Sequence, residues 1–131
     1  MTFFEAENLS ALVESTLIEI IGRRPQSVIT YRDLVDECAL VGNLAGIDLS
    51  DGVERALFSN LLGKVADESF VKFGFILTAV VVLKTGDGAG TGLRTALVRN
   101  GLLKKSANDD AYELARFAEM RKAWEKFGPS R

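Results

Sequence analysis

The sequence predicts an α+β domain that is mostly helical, and three observations carry that prediction. Residues Phe73 to Leu83 are apolar apart from Gly74 and Thr78, and they include the triplet Val80-Val81-Val82. Around this run, apolar residues recur at helical spacing in separate stretches, most of them opened by a residue suited to an N-cap. The chain has 131 residues, 47% of them hydrophobic and 26% charged. That is the composition of one globular domain with a real core.

The first helix is expected over about residues 5–22. Leu9, Leu12, Val13, Leu17, Ile20 and Ile21 make its stripe, and Asn8 and Ser10 are the cap candidates. Gly22 is placed to end it, Arg23 and Arg24 suit its C-terminal dipole, and Pro25 marks the stop. Ser27-Val28-Ile29 reads as a short extended piece. Thr30 then caps a second helix over Tyr31–Leu40, with Asp33 three residues on as in a capping box. Leu34, Val35, Cys38 and Ala39 face its inside. The segment 41–49 reads as a loop.

Ser50 and Asp51 open a third helix that runs to about Ser69. Its apolar stripe is Val53, Leu57, Leu61, Leu62 and Val65, and its outer face carries Glu54, Arg55, Ser59, Asn60, Lys64 and Asp67. Phe75–Leu83 follows as a strand covered on both faces, because β-branched residues fit a pleat and no polar alternation survives. A short helix through Leu93, Leu97 and Val98 closes at Asn100-Gly101. A last helix over about 107–127 is capped by Ser106, Asn108 or Asp109. On it, Tyr112, Ala115, Phe117, Met120 and Trp124 form the apolar set, and Arg116, Glu119, Arg121, Lys122 and Lys126 the polar one. The whole chain, 1–131, is read as a single domain with a core over about 28–103.

Composition excludes several functions. The chain has no histidine, which removes Ser-His-Asp and Cys-His catalysis and histidine-bound zinc. A carboxylate–lysine nuclease pattern is missing too. Carboxylates converging on Mg²⁺ stay open, but no catalytic residue, metal or cofactor is expected. The single cysteine, Cys38, cannot form an internal disulfide, and the start MTFFEAENLS lacks the features of a secretory signal. The central apolar run is far short of the roughly twenty residues that a membrane-spanning helix needs. A cytoplasmic protein with no membrane partner is the expectation.

The glycines of Lys84–Gly92 invite comparison with a phosphate cradle. G-x-G-x-x-G fails, because Thr91 or Leu93 stands where the third glycine belongs. The P-loop fails because Gly92 is followed by Leu93 and Arg94. A mobile connection and an anion at the following helix N-terminus both remain open readings. Charge is segregated along the chain. Residues 1–60 carry four Lys/Arg against ten Asp/Glu, and residues 61–131 carry twelve against eight.

The phrase Val28-Ile29-Thr30-Tyr31-Arg32-Asp33-Leu34-Val35, followed by Leu57–Val65 and then a strand and flexible loop, resembles the winged helix-turn-helix class. The likeness covers about Ile29 to Gly92. It implies a winged-helix-like core with extra N- and C-terminal helices, in which the third helix enters the major groove of double-stranded DNA. Arg55, Ser59, Asn60 and Lys64 would then meet bases and phosphates, and Lys84, Thr85, Arg94 and Arg99 would meet phosphates. The second reading is a protein-interaction module of the same fold, with an acidic first half as its partner surface. Apolar faces on the first and last helices also suggest a homodimer.

Overall fold

The computed structural model describes residues 3–5, 8–82 and 91–129. Its elements are a 3-10 turn at Phe3–Glu5, α1 (Leu9–Arg23), β1 (Ile29–Thr30), α2 (Tyr31–Gly42), α3 (Gly52–Phe73), a 3-10 turn at Leu77–Val80, β2 (Val81–Val82), α4 (Thr91–Arg99) and α5 (Asp109–Phe127). A mostly helical α+β fold is what the chain adopts. Two short strands pair in parallel, Ile29 with Val81 and Thr30 with Val82.

The helix ends follow local chemistry. Thr30 Oγ1 accepts the Asp33 N–H at 3.2 Å, as the capping phrase predicts. Asp51 Oδ1 accepts the Val53 N–H, and Asn108 Oδ1 accepts the Ala111 N–H at 2.8 Å. Asn8 precedes α1, but its side chain makes no cap bond. Gly22 lies inside α1, which runs one residue further. At that point α1 and α5 pack so closely that a Cβ on Gly22 would sit 3.4 Å from the Phe127 carbonyl oxygen.

α2 continues past Leu40 and stops at Asn43, which adopts the left-handed conformation at φ 52°. There the Leu44 and Asn43 N–H groups return to the carbonyls of Ala39 and Leu40. α4 ends the same way. Gly101 is at φ 77°, and the Leu102 and Gly101 N–H groups donate to Leu97 and Val98.

Two expectations need correction. The stripe of α3 is rotated: Phe58, Leu62, Val65, Ala66 and Ser69 are its buried residues, whereas Val53 is 67% exposed and Leu57 is exposed too. α3 also runs four residues beyond Ser69, to Gly74 at φ 81°. The second correction concerns Phe75–Leu83, expected as one strand. Phe75 to Val82 are all buried, but Leu77–Val80 coils into a 3-10 turn and only Val81–Val82 is strand.

The cause of that coiling is polar. The Ile76 N–H donates to the Glu119 carboxylate at 3.0 Å, and the Leu77 N–H donates to Ser69 Oγ at 3.0 Å. These acceptors satisfy the first N–H groups of the turn in the interior, where a sheet neighbour would otherwise be needed. Glu119, read from the sequence as one of the polar set of α5, is therefore buried; Arg116 of that set is buried too, while Leu114 and Phe117 are exposed.

The core joins Val13, Leu17 and Ile21 of α1, Leu34 of α2, Phe58 and Val65 of α3, Ile76, Leu77 and Val80, Leu97 of α4 and Met120 of α5. Val13, Leu17, Ile20 and Ile21 of the α1 stripe are thus covered within the chain, while Leu9 and Leu12 are partly buried. Cys38 is fully buried, and its thiol is pushed up to about 11 by that burial. Phe73, Phe75 and Phe127 pack as an aromatic trio, with centroids 5.1 to 6.1 Å apart. Trp124 Nε1 donates to the Ser27 carbonyl at 2.8 Å and ties α5 to the approach of β1. No described helix is long and apolar enough to cross a membrane.

Candidate functional site

The outer face of α3 and the facing side of α4 enclose an open groove of about 850 Å³. Its α3 wall is Gly52, Arg55, Ala56, Ser59, Asn60, Gly63 and Asp67, residues that recur every three or four positions along one helical face. Gly92, Thr95 and Arg99 of α4 and Tyr31 of α2 complete it. Glycine and alanine on the α3 wall keep the floor low. The Tyr31 ring also packs edge-on against Phe58, with centroids 5.9 Å apart, so the groove rests on the core.

Four of the sequence-predicted residues, Arg55, Ser59, Asn60 and Arg99, meet in this groove. Lys64 is exposed on the same helix, outside the groove lining. Arg94 is not brought there. Its guanidinium donates to the Ala107 carbonyl and to Asp109, both at 2.9 Å, and lies 4.7 Å from the Tyr112 ring centroid. It braces the α4–α5 connection. Lys84 and Thr85 lie outside the described residues, as does nearly all of the glycine loop expected to form the wing.

No protein-family model, curated protein or solved structure matches this chain. The groove must therefore be read from its own chemistry.

Its charges fall into two groups. Arg99 is engaged: Nε and Nη2 donate to Asp67 Oδ1 at 3.1 Å, and Asn100 Nδ2 donates to the same oxygen at 2.9 Å. Arg55 and Lys64 have no ion-pair partner among the described residues. Ser59 and Asn60 likewise have no side-chain hydrogen bond among them.

Three acids at the start and on the groove side of α3 are occupied. Asp51 caps α3, Glu54 accepts the Asp48 N–H at 3.3 Å, and Asp67 holds Arg99 and Asn100. Asp48 itself turns back on Ser50, whose hydroxyl and N–H hold its carboxyl below the usual carboxylate range.

The N-terminus of α4 opens into the groove beside these groups, since Gly92 lines it together with Arg55 and Ser59. The first N–H groups of a helix carry partial positive charge and favour an oxyanion. The groove thus offers one free cation in Arg55, an amide that can both donate and accept, a hydroxyl and a helix N-terminus, and Lys64 adds a second free cation on α3 beyond its edge. Sequence reasoning missed the participation of Tyr31, Thr95 and Asp67. The i, i+4 rows that carry Gly52, Ala56, Ser59, Asn60 and Gly63 were the signal available for the α3 wall.

Proposed function

We propose that this chain binds double-stranded DNA in the manner of a winged helix-turn-helix domain, with α3 as the reading helix. One observation carries the reading. Arg55, Ser59, Asn60 and Lys64 stand on the outer side of a helix whose inner side is fully committed to the core, and the fold uses none of their polar groups. An unpaired arginine suits guanine edges and phosphates, and asparagine suits adenine edges. The α4 N-terminus supplies a further phosphate contact across the groove. The element order also supports the reading: helix, short strand, capped helix, longer helix, then a buried segment that ends in the two-residue β2.

The test is binding of a mixed-sequence duplex as salt is varied. With two unpaired cations, log K should fall with log salt at a slope of about −2. The double reversal R55E/K64E should abolish binding while leaving the fold intact, because neither side chain has a folding partner. Duplex affinity that survives the reversal, or that ignores salt, would sink the reading. An absence of binding at low salt would sink it equally.

A further inference from the structure

A second groove lies away from the α3–α4 face, between the end of α1, β1 and α2. It encloses about 460 Å³, and its apolar lining is Ile20, Val28, Ile29 and Leu40. Val28 is exposed and Leu40 is 79% exposed, so the fold leaves two large aliphatic side chains uncovered beside it. Charged residues line it as well. Arg23 is spent on Glu19 at 3.1 Å and Glu37 at 3.3 Å, which leaves Arg24 as the remaining cation of the lining against Asp33 and Asp36. The residual charge of the groove is negative.

The same chain carries a surface of complementary character at the other end of its sequence. Leu102, Leu103, Ala111 and Leu114 line a shallow apolar hollow of about 500 Å³ together with Lys104. Leu114 is 73% exposed, and Lys104 and Lys105 are exposed with no ion-pair partner among the described residues. One surface therefore joins uncovered aliphatics to unpaired acids, and the other joins uncovered aliphatics to unpaired lysines.

We propose that the occupant of the acidic groove is a second copy of this chain, docked head-to-tail through its Leu102–Lys105 and Leu114 surface. Lys104 and Lys105 of one copy meet Asp33 and Asp36 of the other, and the aliphatic side chains of both surfaces leave water together. Such a contact joins two different patches, so a dimer keeps one of each free and association continues beyond it unless a ring closes. Opposed charges at the rim of a small interface make it weak and sensitive to salt. The proposal does not depend on the DNA reading, because it uses a different face.

The experiment is sedimentation equilibrium of the full chain over a concentration series at about 50 mM and about 500 mM salt, a range over which surface charge pairs become screened. The wild-type chain should show a mass that grows with concentration at low salt and should approach the monomer at high salt. Two reversal variants, D33N/D36K and K104E/K105E, should each be monomeric. Circular dichroism confirms that both are folded. If either is not, D36N and K104Q/K105Q replace them, with association expected to weaken about tenfold.

An equimolar mixture of the two reversal variants should associate again, because the intact groove of one variant meets the intact lysine surface of the other. A wild-type chain that stays monomeric throughout the low-salt series overturns the proposal, and leaves the groove to a basic segment of another protein. Association that is indifferent to the reversals, or a mixture that does not pair, overturns it as well.

Discussion

Glu119 with Ser69, and Arg55 with Asn60 and Lys64, are two polar sets that look alike in the sequence: hydrophilic residues on amphipathic helices. The fold treats them in opposite ways. Glu119 is 2% exposed, and one carboxylate oxygen accepts the Ile76 N–H while the other holds Lys122 Nζ at 3.0 Å. Ser69 accepts from Leu77 and donates to the Ala66 carbonyl at 2.9 Å. Every polar atom of this inner pair is used, and its task is to let the chain turn inside an apolar core. The outer set is solvated and nothing in the fold requires it. Polar groups consumed by folding are unavailable to a ligand, so the outer set is the better place to look for one.

The largest effect expected from this difference is at Glu119. Glu119→Ala leaves the Ile76 N–H without an acceptor in the interior, so it should cost about 3 kcal/mol of unfolding free energy. Lys122 is half exposed and can return to water, which limits the loss. Glu119→Gln keeps an acceptor oxygen and should cost about 1 kcal/mol. Urea titration with an unchanged slope would verify both values. An alanine variant within a few tenths of wild type would show that the interior turn does not depend on this carboxylate.

Ser69→Ala comes next. It removes the acceptor of the Leu77 N–H but no charge, so a loss of about 1–2 kcal/mol is expected. Glu119→Ala and Ser69→Ala serve adjacent N–H groups of one turn. Their double mutant should therefore depart from additivity by more than about 0.5 kcal/mol. Additive losses would mean that the two N–H groups are held independently.

These two residues also mark the limit of what the sequence reveals. Helix positions and caps were legible, because Thr30, Asp51 and Asn108 act on N–H groups two or three residues away. The outer face of α3 was legible too, since charged and amide side chains mark it wherever the helix packs. The strand over Phe75–Leu83 was misread. A buried run carries no periodicity to separate strand from turn, and its polar partner Glu119 lies 43 residues on from Ile76. The rotation of α3 was missed because Val53 and Leu57 continue an apolar row past the point where the core ends. The N-terminal turns of α3 reach beyond the body that Phe58 and Leu62 pack against. The engagement of Arg94 and Arg99 was equally hidden, for it depends on Asp109 and Asp67 meeting them across helices.

On the outer set the expected stability effects are small. Arg55→Ala and Lys64→Ala should each change unfolding free energy by less than about 0.5 kcal/mol, as exposed positions without partners do. Each should also lower the salt slope of duplex binding by about 1. A stability loss comparable to that of Ser69→Ala would mean that these side chains belong to the fold after all, and the contrast between the two sets would disappear.

Asp67 lies between the two sets and gives the finest discrimination. It sits on the wall of the groove, yet it is spent inside the molecule, on Arg99 and Asn100. Both members of the ion pair are about half exposed, so its net contribution is small: Asp67→Asn should cost less than about 1 kcal/mol. The amide can still accept from Asn100, but it no longer neutralises Arg99, and a third cation then becomes free on the α4 side. If a duplex lies across both walls, Asp67→Asn should bind it more tightly than wild type, with the salt slope steeper by about 1. Arg99→Ala should leave wild-type affinity nearly unchanged, because that charge is already cancelled. An Asp67→Asn variant with wild-type affinity and slope would restrict the contact to α3 and remove the α4 helix end from the interface. The same measurement thus separates a helix read alone from a groove read as a whole.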